Sequence, residues 1–288
     1  MLQTGNDDKI DSMIDLALLE DSGLGDLTSD AIFSDDETGT AEIVCRERGV
    51  VAGLEVAARV FQSCDNNAGV DAFVSDGSLA RPGQVLARMK GSVKGILRAE
   101  RVALNILQRM SGIATLTRAY VEAVVGTSVR IADTRKTAPG LRLFDKWAVR
   151  LGGGINHRFG LDDMILIKDN HIVAAGSVTK AIEACKAYVG VRNLAVALEV
   201  ETKTLAEVRE AMQCGGLSRI MLDNFSVEEM KLAVELIAHR VEVEASGGVS
   251  LQNVRLFAET GVDLISVGAL THSAKALDIS LDLSRIPT

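Results

Sequence analysis

The chain has 288 residues, 47% hydrophobic and 24% charged, with a formal net charge of -8. That length and apolar content predict one or two globular domains with a substantial core, and exclude a disordered or fibrous chain. The acidic balance argues against sequence-independent nucleic-acid binding, which needs a basic face, so a cationic cluster has to be local.

Met1–Asp8 is polar and acidic, unlike the basic start and apolar stretch of a secretory signal. No apolar run approaches the roughly 20 residues that a membrane span requires. Asp11–Asp21 has helical spacing and ends at the stop signal Ser22-Gly-Leu-Gly-Asp26. The runs Ala41–Cys45, Val70–Val74 and Val85–Met89 alternate with turns at Asp76-Gly77 and Arg81-Pro-Gly83, as strands of a small mixed domain do. Gly53–Phe61 and Lys94–Met110 read as helices, the second closing that domain before Gly112. Cys45, Cys64, Cys185 and Cys214 show neither CxxC spacing nor a neighbouring His cluster, which predicts reduced structural thiols. These features together predict a cytoplasmic protein with no membrane partner.

Beyond Gly112, short apolar runs alternate with helix-compatible stretches: Val129–Ala132, Met164–Ile167, Leu194–Val200, Ile220–Leu222, Val241–Ala245 and Leu264–Val267. Their ends carry Asp133, Lys168, Glu201, Asp223, Ser246 and Gly268, the last four at intervals of 22, 23 and 22 residues. That interval holds one strand, one helix and two loops, so the chain predicts a parallel α/β barrel left incomplete at six strands. In such a barrel the residues at the strand ends converge on one mouth, where barrel enzymes carry their chemistry.

The densest polar segment is Asp133-Thr-Arg-Lys-Thr-Ala-Pro-Gly-Leu-Arg142. Arg135 can grip a carboxylate or phosphate bidentately and Lys136 adds a compact charge, although Arg-Lys alone also describes a solvated basic turn. His157 and Arg158 follow Gly152-Gly-Gly154, with His157 either a ligand contact or a hydrogen-bonded structural histidine. Lys168 suits a Schiff-base amine or an anion contact equally. Glu199, Glu201 and Asp223 offer the oxygen donors that Mg²⁺ prefers. Ser246-Gly-Gly248 and Gly268-Ala269 leave backbone N–H groups open to a phosphate. No Ser-His-Asp or Cys-His nucleophile arrangement emerges.

Three motifs, Asp133-Thr-Arg-Lys-Thr-Ala-Pro-Gly-Leu-Arg142, Gly152-Gly-Gly-Ile-Asn-His-Arg158 and Leu166-Ile-Lys-Asp-Asn-His171, resemble the quinolinate phosphoribosyltransferase family. The resemblance extends to Arg98–Asn105, Ser111–Thr115, Glu199–Glu201, Leu222–Phe225, Glu244–Val249 and Ile265–Thr271, nearly the whole chain. Asp169 stands where many relatives carry Glu, and Ala138 where Thr is frequent. A related group associated with molybdenum transport differs around Leu166–His171, which favours the quinolinate reading.

The resemblance implies an N-terminal α/β sandwich, residues 1–111 with the tail 275–288, packed on an incomplete barrel of residues 112–274. It implies a homodimer, possibly assembled further, with Arg101 reaching the neighbouring subunit's site. Arg135, Lys136, His157, Arg158 and Lys168 would surround quinolinate. Glu201 and Asp223 would serve Mg²⁺ and phosphoribosyl pyrophosphate, and Ser246, Gly247, Gly268 and His272 would lie near phosphate. Lys136, Lys168, Glu201 and Asp223 would carry the chemistry: transfer to the pyridine nitrogen, then decarboxylation to nicotinate mononucleotide for NAD synthesis. A Schiff-base aldolase using Lys168 and a non-catalytic anion-binding protein are the competing classes.

Overall fold

The computed structural model describes residues 7–285. Residues 1–6 of the polar start read for targeting, and residues 286–288 of the tail, lie outside the described residues. The chain opens with α1 (Asp7–Ser22), α2 (Leu27–Ile32), β1 (Thr38–Cys45), β2 (Gly49–Val50), α3 (Leu54–Cys64), β3 (Gly69–Ala72), β4 (Leu79–Ala80), β5 (Val85–Ser92) and α4 (Val93–Ala123). There follow β6 (Arg130–Ala132), α5 (Arg142–Leu151), β7 (Met164–Ile167), α6 (Asp169–Ala175), α7 (Val178–Arg192), β8 (Ala197–Thr202) and α8 (Leu205–Cys214). The last are β9 (Arg219–Asp223), α9 (Val227–Ile237), β10 (Glu242–Ser246), α10 (Val254–Ala258), β11 (Leu264–Ser266), α11 (Ala269–His272) and β12 (Ile279–Arg285). Two compact units result, one from residues up to Leu116 with Ala138–Gly152 and the chain from Ala274, the other from Thr117–Thr137 and Gly153–Ser273.

In the first unit an antiparallel sheet runs β12-β1-β5-β3. Alternate residues of β1, Ala41, Ile43 and Cys45, are buried, the period of a strand with one face on a core. Leu54, Val56, Ala57, Val60 and Phe61 give α3 the apolar stripe that covers it. The tail returns as β12, antiparallel to β1 from Gly39↔Arg285 to Cys45↔Ile279.

Helix α4 runs past the expected stop at Gly112. A Cβ at Gly112 would lie 2.0 Å from the backbone oxygen of Lys275, so the glycine is there for a close approach of chain to helix. Local pattern cannot tell such a packing glycine from a helix end.

The second unit is a six-stranded sheet, β6-β11-β10-β9-β8-β7, parallel throughout. Consecutive strands β7 to β11 are neighbours, each separated by helix, since elements consecutive in sequence tend to lie beside one another in space. Ser177, Thr204 and Ser226 start α7, α8 and α9 by accepting a backbone N–H three residues on. Among the described residues β6 has β11 as its one neighbouring strand, so the barrel is open between β6 and β7. Ile155 makes a single parallel bridge to Ala132 at that seam.

Candidate active site

Parallel strands place all their carboxyl ends on one rim, and the side chains two residues apart share one face. On β8 these are Glu199 and Glu201, on β9 Arg219, Met221 and Asp223, and on β10 Glu242, Glu244 and Ser246. The upper members of these rows line a cavity of about 650 Å³, together with Arg135, Lys136, His157, Arg158, Lys168 and Gly247.

Two cations of the positive wall, Arg135 and Lys136, lack an ion pair among the described residues. Arg135 and Lys136 leave β6 together, and neither has a side-chain hydrogen bond or ion pair among the described residues. The Arg135 Nε is buried without an acceptor. Among the described residues the Arg158 guanidinium has one hydrogen bond, from Nη1 to the Met164 carbonyl at 3.3 Å. Burial, and then the neighbouring Arg135, lower the pKa of Arg158. The Lys136 carbonyl accepts from Thr271 Oγ1 at 2.9 Å, which pins the Arg135-Lys136 turn to α11. Lys168 is held by Glu201, Nζ to Oε2 3.1 Å, an ion pair rather than the free amine of Schiff-base chemistry.

The acidic side is formed by Glu201, buried, and Asp223, half-buried, on adjacent strands. Asn224 donates to Asp223 Oδ2 at 2.9 Å and itself adopts a left-handed backbone, φ 59, which asparagine tolerates. Gly247 beside it has φ 93, and a Cβ there would lie 2.2 Å from Asn224 Oδ1, so the loop after β10 needs glycine. Gly268 lies close to Lys136 and His272, within 3.0 Å and 3.2 Å of a Cβ built on it. His272 is exposed with Nδ1 on Ser273 Oγ at 2.6 Å; neither it nor Gly268 is among the residues lining the cavity. Arg101 is exposed on α4 and does not line it either.

Asp133, expected at the mouth, is fully buried instead. It accepts from Asn156 Nδ2 at 2.7 Å and from the His157 backbone N–H at 2.8 Å, so its carboxylate secures the segment at the barrel seam.

Residues 113–282 match the family described as quinolinate phosphoribosyl transferase, C-terminal domain, and residues 26–111 match its N-terminal domain. The chain belongs to the quinolinate phosphoribosyltransferase family. It is 47% identical over 286 residues to the mitochondrial quinolinate phosphoribosyltransferase [decarboxylating] 2a of Nicotiana tabacum, covering 94% of this chain and 81% of that protein. It is also 47% identical over 287 residues to the chloroplastic nicotinate-nucleotide pyrophosphorylase [carboxylating] of Oryza sativa subsp. japonica, covering 94% and 77%. The crystal structure of NadC from Streptococcus pyogenes superposes with a TM-score of 0.92 at 43% identity, covering 97% of this chain and 98% of that one. The activity of this chain is therefore that of a decarboxylating quinolinate phosphoribosyltransferase, an enzyme of NAD biosynthesis.

The cytoplasmic location expected from sequence is corrected by the same comparison, because the tobacco and rice relatives are named mitochondrial and chloroplastic. Unpaired cysteines and the lack, among the described residues, of a helix long and apolar enough to cross a membrane do not separate those compartments.

Glu199, read from the sequence with the strand-end oxygen donors for Mg²⁺, is instead fully buried in the barrel interior, where it faces Glu244, a residue the sequence reading did not single out for chemistry. His157 Nε2 lies 3.2 Å from Oε2 of both Glu199 and Glu244, which are fully buried. Arg219 Nη1 stands 3.1 Å from Glu244 and 3.5 Å from Glu199 and already supplies the positive charge there. The signal was present: charges in mid-strand of a parallel sheet, whose strands otherwise read as apolar.

Burial alone would lower the His157 pKa, but the close contacts and negative charges of Glu199 and Glu244 outweigh it and raise it to about 9. Burial and the Glu244 charge push the Glu199 carboxyl up, whereas His157 holds Glu244 down against its burial. The Arg158 backbone N–H donates to His157 Nδ1 at 2.8 Å, so the ring carries its hydrogen on Nε2. The extra proton therefore belongs to the cluster as a unit, shared toward Glu199.

A pH dependence of stability follows. The folded cluster keeps its proton up to about 9, while an unfolded histidine releases it near 6.5. Its contribution is complete below pH 6.5 and is lost as pH rises through about 9, an effect on the order of 3 kcal/mol. Thermal unfolding across that window should show the decline, and His157→Asn should flatten it.

Proposed function

We propose that quinolinate lies with its two carboxylates against Arg135 and Arg158, with Lys136, His157 and Lys168 on the same wall. The observation that carries this reading is that Arg135, with its Nε buried and without an acceptor, and Arg158 line one cavity with no close ion pair to a carboxylate among the described residues, Asp163 and Glu199 acting on Arg158 only at longer range. A dianion supplies the missing counter-charge, and two guanidinium groups grip it bidentately. Phosphoribosyl pyrophosphate takes the opposite side, with Ser246, Gly247, Gly268 and His272 toward its phosphate.

Mg²⁺ is part of the proposal, held by Glu201 and Asp223. Two carboxylates on neighbouring strands suit a cation that keeps waters and bridges substrate phosphates. Held there, the ion would supply positive charge to offset that of the pyrophosphate leaving group. Arg135, Arg158 and Lys136 orient the pyridine ring so that its nitrogen bonds to the anomeric carbon as the carbon–oxygen bond to pyrophosphate breaks. The ring, now cationic, stabilises the electron pair left on its carbon when the adjacent carboxylate departs as CO2, until that carbon takes up a proton. Lys168, paired with Glu201, acts as an electrostatic contact to the substrates.

The domain division at residues 1–111 with 275–288, and 112–274, belongs to the same proposal, supported by the family matches to either side of residue 112. So does a homodimer, possibly assembled further, in which Arg101 completes the site of the other protomer. Arg101 is exposed and has no hydrogen-bond or ion-pair partner among the described residues, which suits that role. Mixing Arg101→Ala with Lys136→Ala protein, each inactive alone, should recover part of the activity through hybrid dimers. No recovery under confirmed subunit exchange refutes the shared site.

The decisive assay follows nicotinate mononucleotide and CO2 from quinolinate, phosphoribosyl pyrophosphate and Mg²⁺. Equal amounts of both products, lost on chelation, are expected. Turnover unaffected by chelation would remove Mg²⁺ from the proposal.

A further inference from the structure

A line of charge runs through the open barrel toward the cavity. Arg130 Nη2 meets Glu242 Oε1 at 2.7 Å, and Glu242 Oε2 meets Arg219 Nη2 at 2.9 Å. Arg219 in turn faces Glu199 and Glu244, whose Oε2 atoms both face His157 Nε2. Two carboxylates with no exposed surface are costly inside a sheet, and removing either partner of such a group leaves an uncompensated charge. Well-packed apolar residues would fill the same space at lower cost, so the cluster calls for a reason beyond stability.

His157 supplies it. Its Nε2 is turned to the two carboxylates, and its Nδ1 accepts the backbone N–H of Arg158 at 2.8 Å. The His157 backbone N–H is itself held by Asp133. With Nδ1 hydrogen-bonded to the backbone and Nε2 in charged contact with both acids, the imidazole serves as a brace between the buried carboxylates and the backbone that carries Arg158. An imidazole oriented by a carboxylate behind it is the arrangement that fixes ring orientation at many functional sites.

We propose that Glu199 and Glu244 are positioning residues for quinolinate, acting through His157 to set the backbone of Arg158 and hence its guanidinium. This rests on the reading that Arg158 holds a quinolinate carboxylate. Arg219 balances the pair, and the phosphoribosyl pyrophosphate side of the site takes no part.

The test is a double-mutant cycle of Glu244→Gln and His157→Ala in the full-length enzyme, with KM measured for each substrate. Glu244→Gln should raise KM for quinolinate about tenfold, the loss of one of the two charged contacts in the brace, and leave KM for phosphoribosyl pyrophosphate within about twofold. The double variant should bind quinolinate no worse than His157→Ala within about twofold, because both changes break the same brace. Multiplying effects, or a lowered Tm with both KM values unchanged, would overturn the inference. Glu199→Gln, which leaves Glu244 on the ring, should give an intermediate quinolinate KM and provides the readout if Glu244→Gln does not fold; an unchanged KM there also overturns it. Absence of turnover by the wild-type enzyme would instead sink the site reading and this inference with it.

Discussion

Arg135→Ala should lower kcat/KM for quinolinate by roughly 30-fold to a few thousandfold, because truncating one partner of a buried, hydrogen-bonded charge pair costs about 2–5 kcal/mol at 1.4 kcal/mol per decade. The Arg135 Nε is buried without an acceptor in the free protein, so its interactions are reserved for the ligand. Arg135→Lys should restore little, since an ammonium cannot reproduce a bidentate fork. Stability should respond in the opposite sense. The substitution removes an unsatisfied buried donor and relieves the charge that depresses Arg158, so Tm should hold or rise. Steady-state kinetics with each substrate varied, alongside thermal unfolding, checks both parts. A change in kcat/KM below about threefold would remove Arg135 from the quinolinate wall.

Asp145→Asn should be the most damaging single change to the first unit. Asp145 on α5 is fully buried and takes a two-point ion pair from Arg109 on α4, Nε to Oδ1 and Nη2 to Oδ2, each 2.8 Å. Its Oδ2 also accepts the backbone N–H of Ala138 at 3.2 Å. Replacing the carboxylate by an amide removes the buried anion from this two-point pair, a loss on the order of 3 kcal/mol. At about 2–4 °C per kcal/mol for a chain of this size class, Tm should fall by on the order of 10 °C. Arg46→Ala is the control. It breaks the Arg46–Asp282 pair, whose side chains are 41% and 56% exposed, and should cost less than about 1 kcal/mol. Equal Tm values for the two variants would show that burial does not govern the strength of the Arg109–Asp145 pair.

Much of the barrel was legible in the chain. The six strands were read from their apolar runs, Met164–Ile167 with the same bounds, because strand period and the interval from Glu201 to Gly268 are local properties. The cations that line the cavity, Arg135, Lys136, Arg158 and Lys168, follow from the same logic, since a parallel sheet sends every strand end to one rim. Tertiary structure alone decided which of these charges are free. Lys168 is paired with Glu201 while Arg135 is left without a partner, and nothing in the spacing of the motifs separates the two. It also turned Asp133 from a mouth residue into a buried anchor, opened the barrel between β6 and β7, and made Gly112 a contact point rather than a helix end. The acid pair behind His157 belongs with these. Periodicity states which residues share a face, but the partner met across that face comes from segments that only folding brings together, and that partner sets the charge, the hydrogen bond and the role.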